Sequence, residues 1–184
     1  LGFSGYPSLQ KSLQELIKNK LTTVQRLDLS NDYICNGYTL KGVLKSDMEN
    51  IRATMEKINY STFEDVVNNI FEAKRIYIIG LRSSMALAEF LGFYLNVILQ
   101  NVKTVGYGIS DIFEEMINIG EGDLVIGIGF PRYANRTIDV LSFAQDRGAT
   151  IVALTDSIIS SLAQRADYAL IVQSNMASFV DSLV

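Results

Sequence analysis

Residues 75–84, Arg-Ile-Tyr-Ile-Ile-Gly-Leu-Arg-Ser-Ser, constrain the fold of this chain more than any other segment. Residues 76–79 form a short apolar run rich in β-branched side chains, which predicts a buried strand that ends at Gly80. Residues 85–99 are almost continuously apolar and follow a helical pattern. A strand that enters a helix through a glycine turn leaves unpaired backbone N–H groups and the positive end of the helix dipole at one point. The segment therefore predicts a strand–turn–helix unit whose turn attracts anions.

Arg82, Ser83 and Ser84 add a positive charge and two hydroxyl groups to this turn. One interpretation is that Ser83 or Ser84 only caps the helix. The other is that the turn binds an anionic ligand, with Gly80 allowing the tight bend. An arginine beside a pair of serines favours the second interpretation.

Four further segments have the pattern of buried strands, namely residues 102–107, 124–128, 150–155 and 168–172. Predicted helices alternate with these strands. The first begins at a capping box over residues 61–64 with Ser61 as N-cap, the second runs from Ser110 or Asp111 through Ile117, and the third begins in the loop 129–136 and ends at Gly148. A short helix over 159–165 follows a cap at 156–157, and a last helix begins at about Ala177. Such alternation predicts an α/β fold with three αβα layers around a five-stranded parallel sheet of the flavodoxin-like kind.

Two helical patterns precede this unit. The first covers residues 9–27. The second is an apolar seam made of Leu44, Met48, Ile51, Met55 and Ile58. Its spacing suits packing against another helix, either within the chain or in a dimer.

Three polar loops follow predicted strands, at residues 82–84, 131–133 and 155–157. The carboxyl ends of parallel strands share one edge of a sheet, and ligands bind there near a topological switch point. The sequence therefore predicts a single anion-binding pocket at this edge. Arg132 and Arg136 each offer a planar guanidinium group to a phosphate or carboxylate, and Tyr133 is a candidate to flank a sugar ring. The alternatives are a solvated helix start and a surface charge for Arg132 and Arg136, and a place in the core or at the rim for Tyr133.

Composition excludes several classes of function. The net charge of −4 is not that of a dedicated nucleic-acid binder. The apolar segment 85–99 contains Glu89 and Asn96 and is too short to span a bilayer, so no membrane partner is predicted. The single cysteine, Cys35, fits a reducing cytoplasm. The chain has no histidine, and no motif indicates a metal ion, a cofactor or a catalytic residue.

The three loops, in this order, resemble those of an SIS (sugar isomerase) domain. Residues 1–9 resemble the segment after the recognition helix of the RpiR/MurR family of bacterial transcription regulators, and residues 73–80 resemble the entry into that family's first SIS strand. Residues 149–169 match the pattern around the fourth and fifth strands. The resemblance implies a regulator that senses a phosphorylated or acidic sugar, forms a homodimer or tetramer, and binds operator DNA through an N-terminal helix-turn-helix domain.

The resemblance also implies a domain organisation. Residues 1–27 are expected to be the tail of the helix-turn-helix domain, residues 28–46 a linker, and residues 47–184 the SIS domain. The rest of the helix-turn-helix domain is expected before residue 1, and the SIS domain is expected to continue after residue 184.

Two departures from the family pattern affect the expected site. Arg82 occupies a position that often holds glycine, while Ser84 stays at the family's serine. The second loop, which in the family carries hydroxyl groups that cradle phosphate, has Gly129, Pro131, Arg132 and Ala134 at the corresponding positions. The family's phosphate ligation by that loop is therefore not carried over, and arginine charge is its expected substitute.

The SIS fold also includes aldose–ketose isomerases, which need acid and base groups. Without histidine, the candidates are the carboxylates Glu89, Glu114, Glu115 and Asp156, and Asp156 is expected to be an N-cap. Nothing in the sequence pairs two of them. The sequence therefore predicts a sensor that is not an enzyme, with an isomerase and a ligand-free dimerisation module as the alternatives.

Overall fold

The computed structural model describes residues 40–106 and 111–174. In chain order its elements are α1 (Leu40–Lys57), α2 (Tyr60–Glu72), β1 (Ile76–Gly80), α3 (Ser84–Leu99), β2 (Val102–Val105), α4 (Ile112–Glu115), β3 (Leu124–Ile128), α5 (Asn135–Gln145), β4 (Thr150–Thr155), a 3-10 turn (Ala163–Arg165) and β5 (Tyr168–Ile171). The predicted helix at 9–27, residues 28–39 of the predicted linker, Cys35, Ser110 and the predicted helix from Ala177 lie outside the described residues.

The five strands form one parallel sheet in the order β2-β1-β3-β4-β5. The first strand, β1, lies in the interior of the sheet. The second, β2, is added on one side of β1, and β3 is then added on the other side. The direction of winding therefore reverses between β1 and β3, which makes their carboxyl ends the topological switch point. The predicted αβα architecture with a flavodoxin-like parallel sheet is confirmed.

The sheet is buried on both faces, which explains why β1 and β3 read as continuous apolar runs. On one face, Val66 of α2 and Ala88 of α3 pack with Ile76, Ile78 and their neighbours. On the other face, Met116, Leu141 of α5 and Leu162 pack with Tyr77, Ile79 and the residues around them. The helices α2 and α3 thus form one outer layer, and α4 and α5 with the 3-10 turn form the other.

One predicted helix start was wrong, and another was confirmed. Asn59, not Ser61, caps α2: its backbone is extended, and its side chain accepts a hydrogen bond from the Thr62 N–H at 3.2 Å. Asparagine is as good an N-cap as serine, so the helix begins one position before the predicted cap. Asp111 does cap α4, accepting from the Phe113 N–H at 3.0 Å, although this helix ends at Glu115.

The predicted helix at 159–165 is replaced by turns and the short 3-10 segment. The Ser157 hydroxyl accepts from the Ile159 N–H at 3.3 Å, and the Ser160 hydroxyl accepts from the Ala163 N–H at 3.0 Å. These local side-chain bonds satisfy backbone donors without a helix, which is how serine competes with helical structure.

The helix α1 includes residues 40–46, which the sequence assigned to a linker. The chain divides into two compact units, with residues 40–49 in the first and residues 50–174 in the second, which holds the sheet. Leu44, Met48, Ile51 and Met55 of the predicted seam are exposed. The predicted domain boundaries stay a prediction.

In the second unit, the last turns of α1 are bonded to the segment after β5. Gln173 donates its backbone N–H to the Thr54 hydroxyl at 2.9 Å and accepts from Lys57 Nζ at 2.8 Å. None of the helices in the described ranges combines the length and hydrophobicity needed to cross a lipid bilayer.

Candidate functional site

The carboxyl ends of β1 and β3 lie side by side, with Gly80 opposite Ile128 in the parallel register. Neighbouring strands are about 4.8 Å apart. The loop that follows β1 and the loop that follows β3 therefore leave the sheet next to each other, at the switch point. Sequence alone did not give this adjacency, because β1 and β3 are separated in the chain by α3, β2 and α4.

The turn after β1 depends on Gly80. A Cβ atom at this position would lie 2.4 Å from the Ser84 carbonyl oxygen and 2.8 Å from its carbon. Real Cβ atoms do not approach backbone this closely, so the first turn of α3 folds back over the end of the strand only because residue 80 has no side chain. This packing places the N-terminus of α3 above the carboxyl edge of the sheet.

Arg82 and Arg132 both have left-handed backbone conformations, with φ of 59° and 74°. Among the described non-glycine residues only Gln100 shares this property, and it is the C-cap of α3, where such a conformation is ordinary. Outside such caps, a left-handed residue with a side chain costs on the order of 1–3 kcal/mol, and such residues cluster at functional sites. Both arginines are exposed. The left-handed φ also explains why a glycine would fit the position of Arg82.

The two serines of the first loop differ in their surroundings. Ser83 is at the N-cap position of α3 but has helical dihedral angles, and within the described part of the chain its hydroxyl makes no capping hydrogen bond. Ser84 is the first helical residue and is buried. The interpretation of Ser83 as a simple cap is therefore not supported by the geometry.

Tyr133 connects the loop after β3 to the loop after β4. Its hydroxyl donates to Asp156 Oδ1 at 2.5 Å, and the buried Thr155 hydroxyl donates to the same oxygen at 3.3 Å. Burial, reinforced by the hydrogen bond to Asp156, raises the pKa of Tyr133 far above its usual value, so the phenol stays neutral. Asp156 is thus a hydrogen-bond acceptor for Tyr133 and not the predicted N-cap. Tyr133 itself is half-buried.

Arg136, in the first turn of α5, forms an ion pair with Asp111 at the start of α4. Its guanidinium carbon also lies 6.0 Å from the centre of the Phe113 ring. The Phe113 backbone N–H and the Arg136 guanidinium together lower the pKa of Asp111. A ligand that used Arg136 would have to compete with this carboxylate.

Sequence reasoning missed both acidic partners. Asp156 follows Tyr133 by 23 residues and Asp111 precedes Arg136 by 25, and no local pattern links groups at such separations. Of the other carboxylates considered, Glu115 pairs with Lys103 at 3.1 Å, and Glu89 and Glu114 are exposed on helices. Residues 40–106 and 111–174 contain no cluster of three or more side chains suited to holding a metal ion.

The sequence matches the SIS domain family over residues 69–184, which is more than half of the chain. The chain belongs to the SIS domain family. This SIS domain is similar to the sugar isomerase domain of an RpiR transcription factor from Sphaerobacter thermophilus, with 31% identity, a TM-score of 0.70, and coverage of 73% of this chain and 75% of that one. The resemblance to RpiR-type regulators is confirmed.

Two further comparisons extend beyond the SIS domain alone. An uncharacterised HTH-type transcriptional regulator of Haemophilus influenzae is 27% identical over 176 residues, which is 93% of this chain and 60% of the relative. The NanR protein of Vibrio vulnificus, solved with ManNAc-6P, shares the fold at 18% identity and a TM-score of 0.64, over 94% of this chain and 59% of NanR. The chain thus spans about 60% of the length of the curated regulator that it matches.

Proposed function

We propose that this chain is the effector-binding part of a bacterial transcription regulator and that its effector is a small anionic sugar derivative, a sugar phosphate or a sugar acid. The observation that carries the proposal is the pair of left-handed arginines, Arg82 and Arg132, in loops that leave adjacent strands at the switch point. Similarity to HTH-type regulators supports the regulatory role. The sugar phosphate bound by NanR is a precedent for the ligand class in this fold.

The chemistry of the edge suits an anion. The N-terminus of α3 offers backbone N–H groups and the positive end of the helix dipole, and Ser83 and Ser84 add hydroxyl donors. Arg82 and Arg132 add full charges, and each charge-assisted hydrogen bond contributes roughly 1.5–3 kcal/mol. Tyr133 and Arg136 complete the proposed ligand-binding set, although each is held by a carboxylate, Asp156 and Asp111 respectively.

A sugar-phosphate isomerase is the competing function, and we propose that the chain is not an enzyme. Isomerisation needs a base beside the substrate carbonyl. Asp156 accepts from Tyr133 and Glu115 pairs with Lys103, so neither is arranged as a general base. Turnover of an aldose or ketose phosphate that is lost on changing Asp156 or Glu115 would place the chain in the enzyme class.

The wider assembly is part of the proposal. The full-length regulator would bind operator DNA through an N-terminal helix-turn-helix domain, act in the cytoplasm and form a homodimer or tetramer. The exposed apolar side chains of α3 support self-association, because large exposed apolar surfaces mark interaction sites.

The test is a thermal-shift screen of this chain against sugar phosphates, sugar acids and the corresponding neutral sugars. A ligand present at a hundred times its dissociation constant stabilises the native state by about 2.7 kcal/mol, which raises the melting temperature by roughly 5–10 °C for a domain of this size. We expect at least one anionic sugar to do so and its neutral counterpart not to. Stabilisation by inorganic phosphate alone, or by none of the compounds, would contradict the proposal and favour a ligand-free dimerisation module.

A further inference from the structure

The ion pair between Arg136 and Asp111 joins the elements on either side of β1. Asp111 is the N-cap of α4, which follows β2, and Arg136 lies in the first turn of α5, which follows β3. Because β1 lies between β2 and β3 in the sheet, the pair spans the position of the strand whose loop carries Arg82. It lies on the face that α4 and α5 cover, where Leu81 is buried. The pair therefore flanks the switch point.

The two oxygens of the Asp111 carboxylate have different partners. Oδ1 accepts from the Phe113 backbone N–H at 3.0 Å and so caps α4, whereas Oδ2 accepts from Arg136 Nη2. The arginine can therefore leave without removing the cap. Asparagine is as good an N-cap as aspartate, so Asp111→Asn removes the charge and keeps an acceptor for the Phe113 N–H.

The ion pair is weak compared with what an effector offers. The side chains of Arg136 and Asp111 are 47% and 46% exposed, and an exposed pair changes an equilibrium constant by about fivefold at most. A charge-assisted hydrogen bond between arginine and a bound phosphate is worth about 10- to 100-fold. An anionic group that reaches the guanidinium therefore displaces the carboxylate.

The start of α5 favours this exchange. Ala134 is its N-cap, and within the described residues no side chain caps this end by a hydrogen bond and no acidic residue lies in the first turn. The first N–H groups of a helix have no partner within the helix, and the helix dipole disfavours a basic residue there unless an anion is near. An effector anion would meet both the guanidinium and these N–H groups. The bonds that Asp111 makes among the described residues go to Arg136 and to its own helix.

We infer that Asp111 is a built-in competitor of the effector: it holds Arg136 until the anionic group of the effector replaces its carboxylate, and it thereby lowers the affinity of the site. The inference rests on the proposed function, because it takes Arg136 to be part of the effector site. While Asp111 occupies the guanidinium, only the fraction of molecules with a free Arg136 is ready to bind, and the apparent affinity falls by that fraction. The exchange also parts the starts of α4 and α5, so effector binding reaches this side of the sheet.

The first test titrates inorganic phosphate into wild type, Asp111→Asn and Glu115→Gln, followed by the backbone amide NMR signals around Arg82 and Arg136. Glu115→Gln is the matched control, because Glu115 lies on the same helix, carries the same charge and pairs with a base, Lys103, at 3.1 Å. We expect the dissociation constant for phosphate to fall about two- to fivefold in Asp111→Asn and to stay within about 1.5-fold in Glu115→Gln. Equal affinities of wild type and Asp111→Asn, a comparable gain in Glu115→Gln, or no saturable phosphate binding overturns the inference.

The second test separates competition from simple repulsion by repeating the Asp111→Asn comparison in an Arg136→Ala background. If Asp111 competes for Arg136, its substitution should change phosphate affinity by less than about 1.5-fold once the arginine is absent. If Asp111 only repels phosphate, its substitution should help at least as much there, because the carboxylate is then uncompensated. The second result overturns the inference. Urea unfolding of each variant verifies that it is folded.

The same experiments distinguish failure of this inference from failure of the proposed function. If sugar phosphates stabilise the chain in the thermal-shift screen but Asp111→Asn binds phosphate like wild type, the proposed function stands and the competition is wrong. If phosphate binds with the expected difference between the variants and no sugar derivative binds more tightly than inorganic phosphate, the competition stands and the sugar-sensing function is wrong.

Discussion

At the scale of single residues, Arg82 and Arg132 hold a left-handed backbone conformation of the kind that clusters at functional sites. Arg82→Ala and Arg132→Ala should each weaken binding of the effector found in the screen by about 10- to 100-fold, because each removes a charge-assisted hydrogen bond of roughly 1.5–3 kcal/mol. Isothermal titration calorimetry measures the change. Unaltered affinity in both variants would mean that the arginines are surface charges and that the pocket lies elsewhere.

The control for this prediction is Arg82→Gly. Glycine adopts a φ near 59° without a steric penalty, whereas alanine does not, so Arg82→Gly should be more stable than Arg82→Ala by roughly 1 kcal/mol in urea unfolding. Both variants lack the guanidinium and should bind the effector equally weakly. Stability and affinity would then respond to different properties of the same residue.

The hydrogen bond of Tyr133 predicts a pH dependence of the stability of the fold. Its pKa is raised in the folded state above the unfolded value of about 10, so its contribution to stability is fully present below pH 10 and is lost as the pH rises above that value. Tyr133→Phe should cost about 1–2 kcal/mol at pH 8, through loss of the bond to Asp156. The difference in the free energy of unfolding between wild type and Tyr133→Phe should narrow above pH 10. Urea unfolding at pH 8 and above pH 10 tests this, and a difference independent of pH would mean that the pKa of Tyr133 is not raised in the folded state.

At the scale of elements, the first turn of α3 depends on the absence of a side chain at residue 80. Gly80→Ala would drive a Cβ into the Ser84 carbonyl and should destabilise the fold by roughly 1–3 kcal/mol. Gly120→Ala is the matched control, because its nearest neighbour would be the Arg147 carbonyl oxygen at 3.8 Å, an ordinary contact. Chemical denaturation of the two variants compares them directly. Equal stability would mean that the turn can move without cost.

The elements that sequence predicts well are those defined by long runs of buried residues. β3 and β4 have the predicted bounds because both faces of each strand are covered, so the apolar run and the strand coincide. Helix ends were less predictable, since Asn59 and Ser61 are equally good caps and only packing chooses between them. The order of the strands, and with it the adjacency of the two arginine loops, depends on contacts between distant segments that no local pattern encodes.

At the scale of the whole molecule, the carboxyl and amino ends of the strands make different kinds of contact. The carboxyl edge carries the candidate effector loops. Near the amino edge, just before β1 and β3, the buried Asp123 accepts from Arg75 Nε at 3.0 Å and Nη2 at 2.6 Å, and also from the Gly120 N–H at 2.9 Å. Arg75 Nη2 donates in addition to the Asn118 carbonyl at 2.6 Å. This network joins the entries to the two central strands and faces away from the proposed ligand.

Because the Asp123 network and the candidate effector loops lie at opposite ends of the strands, substitutions in the two places should have opposite effects on stability and on effector affinity. Asp123→Ala should lower the free energy of unfolding by roughly 2–4 kcal/mol, because it removes a buried carboxylate that satisfies both Arg75 and the Gly120 N–H. It should leave effector affinity within about twofold, since β1 and β3 keep their register up to Gly80 and Ile128. Arg132→Ala should do the reverse, because its side chain is exposed and is proposed to bind the effector. Urea unfolding and calorimetry on both variants test the pair. A large loss of affinity in Asp123→Ala at a temperature where it is fully folded would mean that strand entry and effector loops are coupled through the sheet.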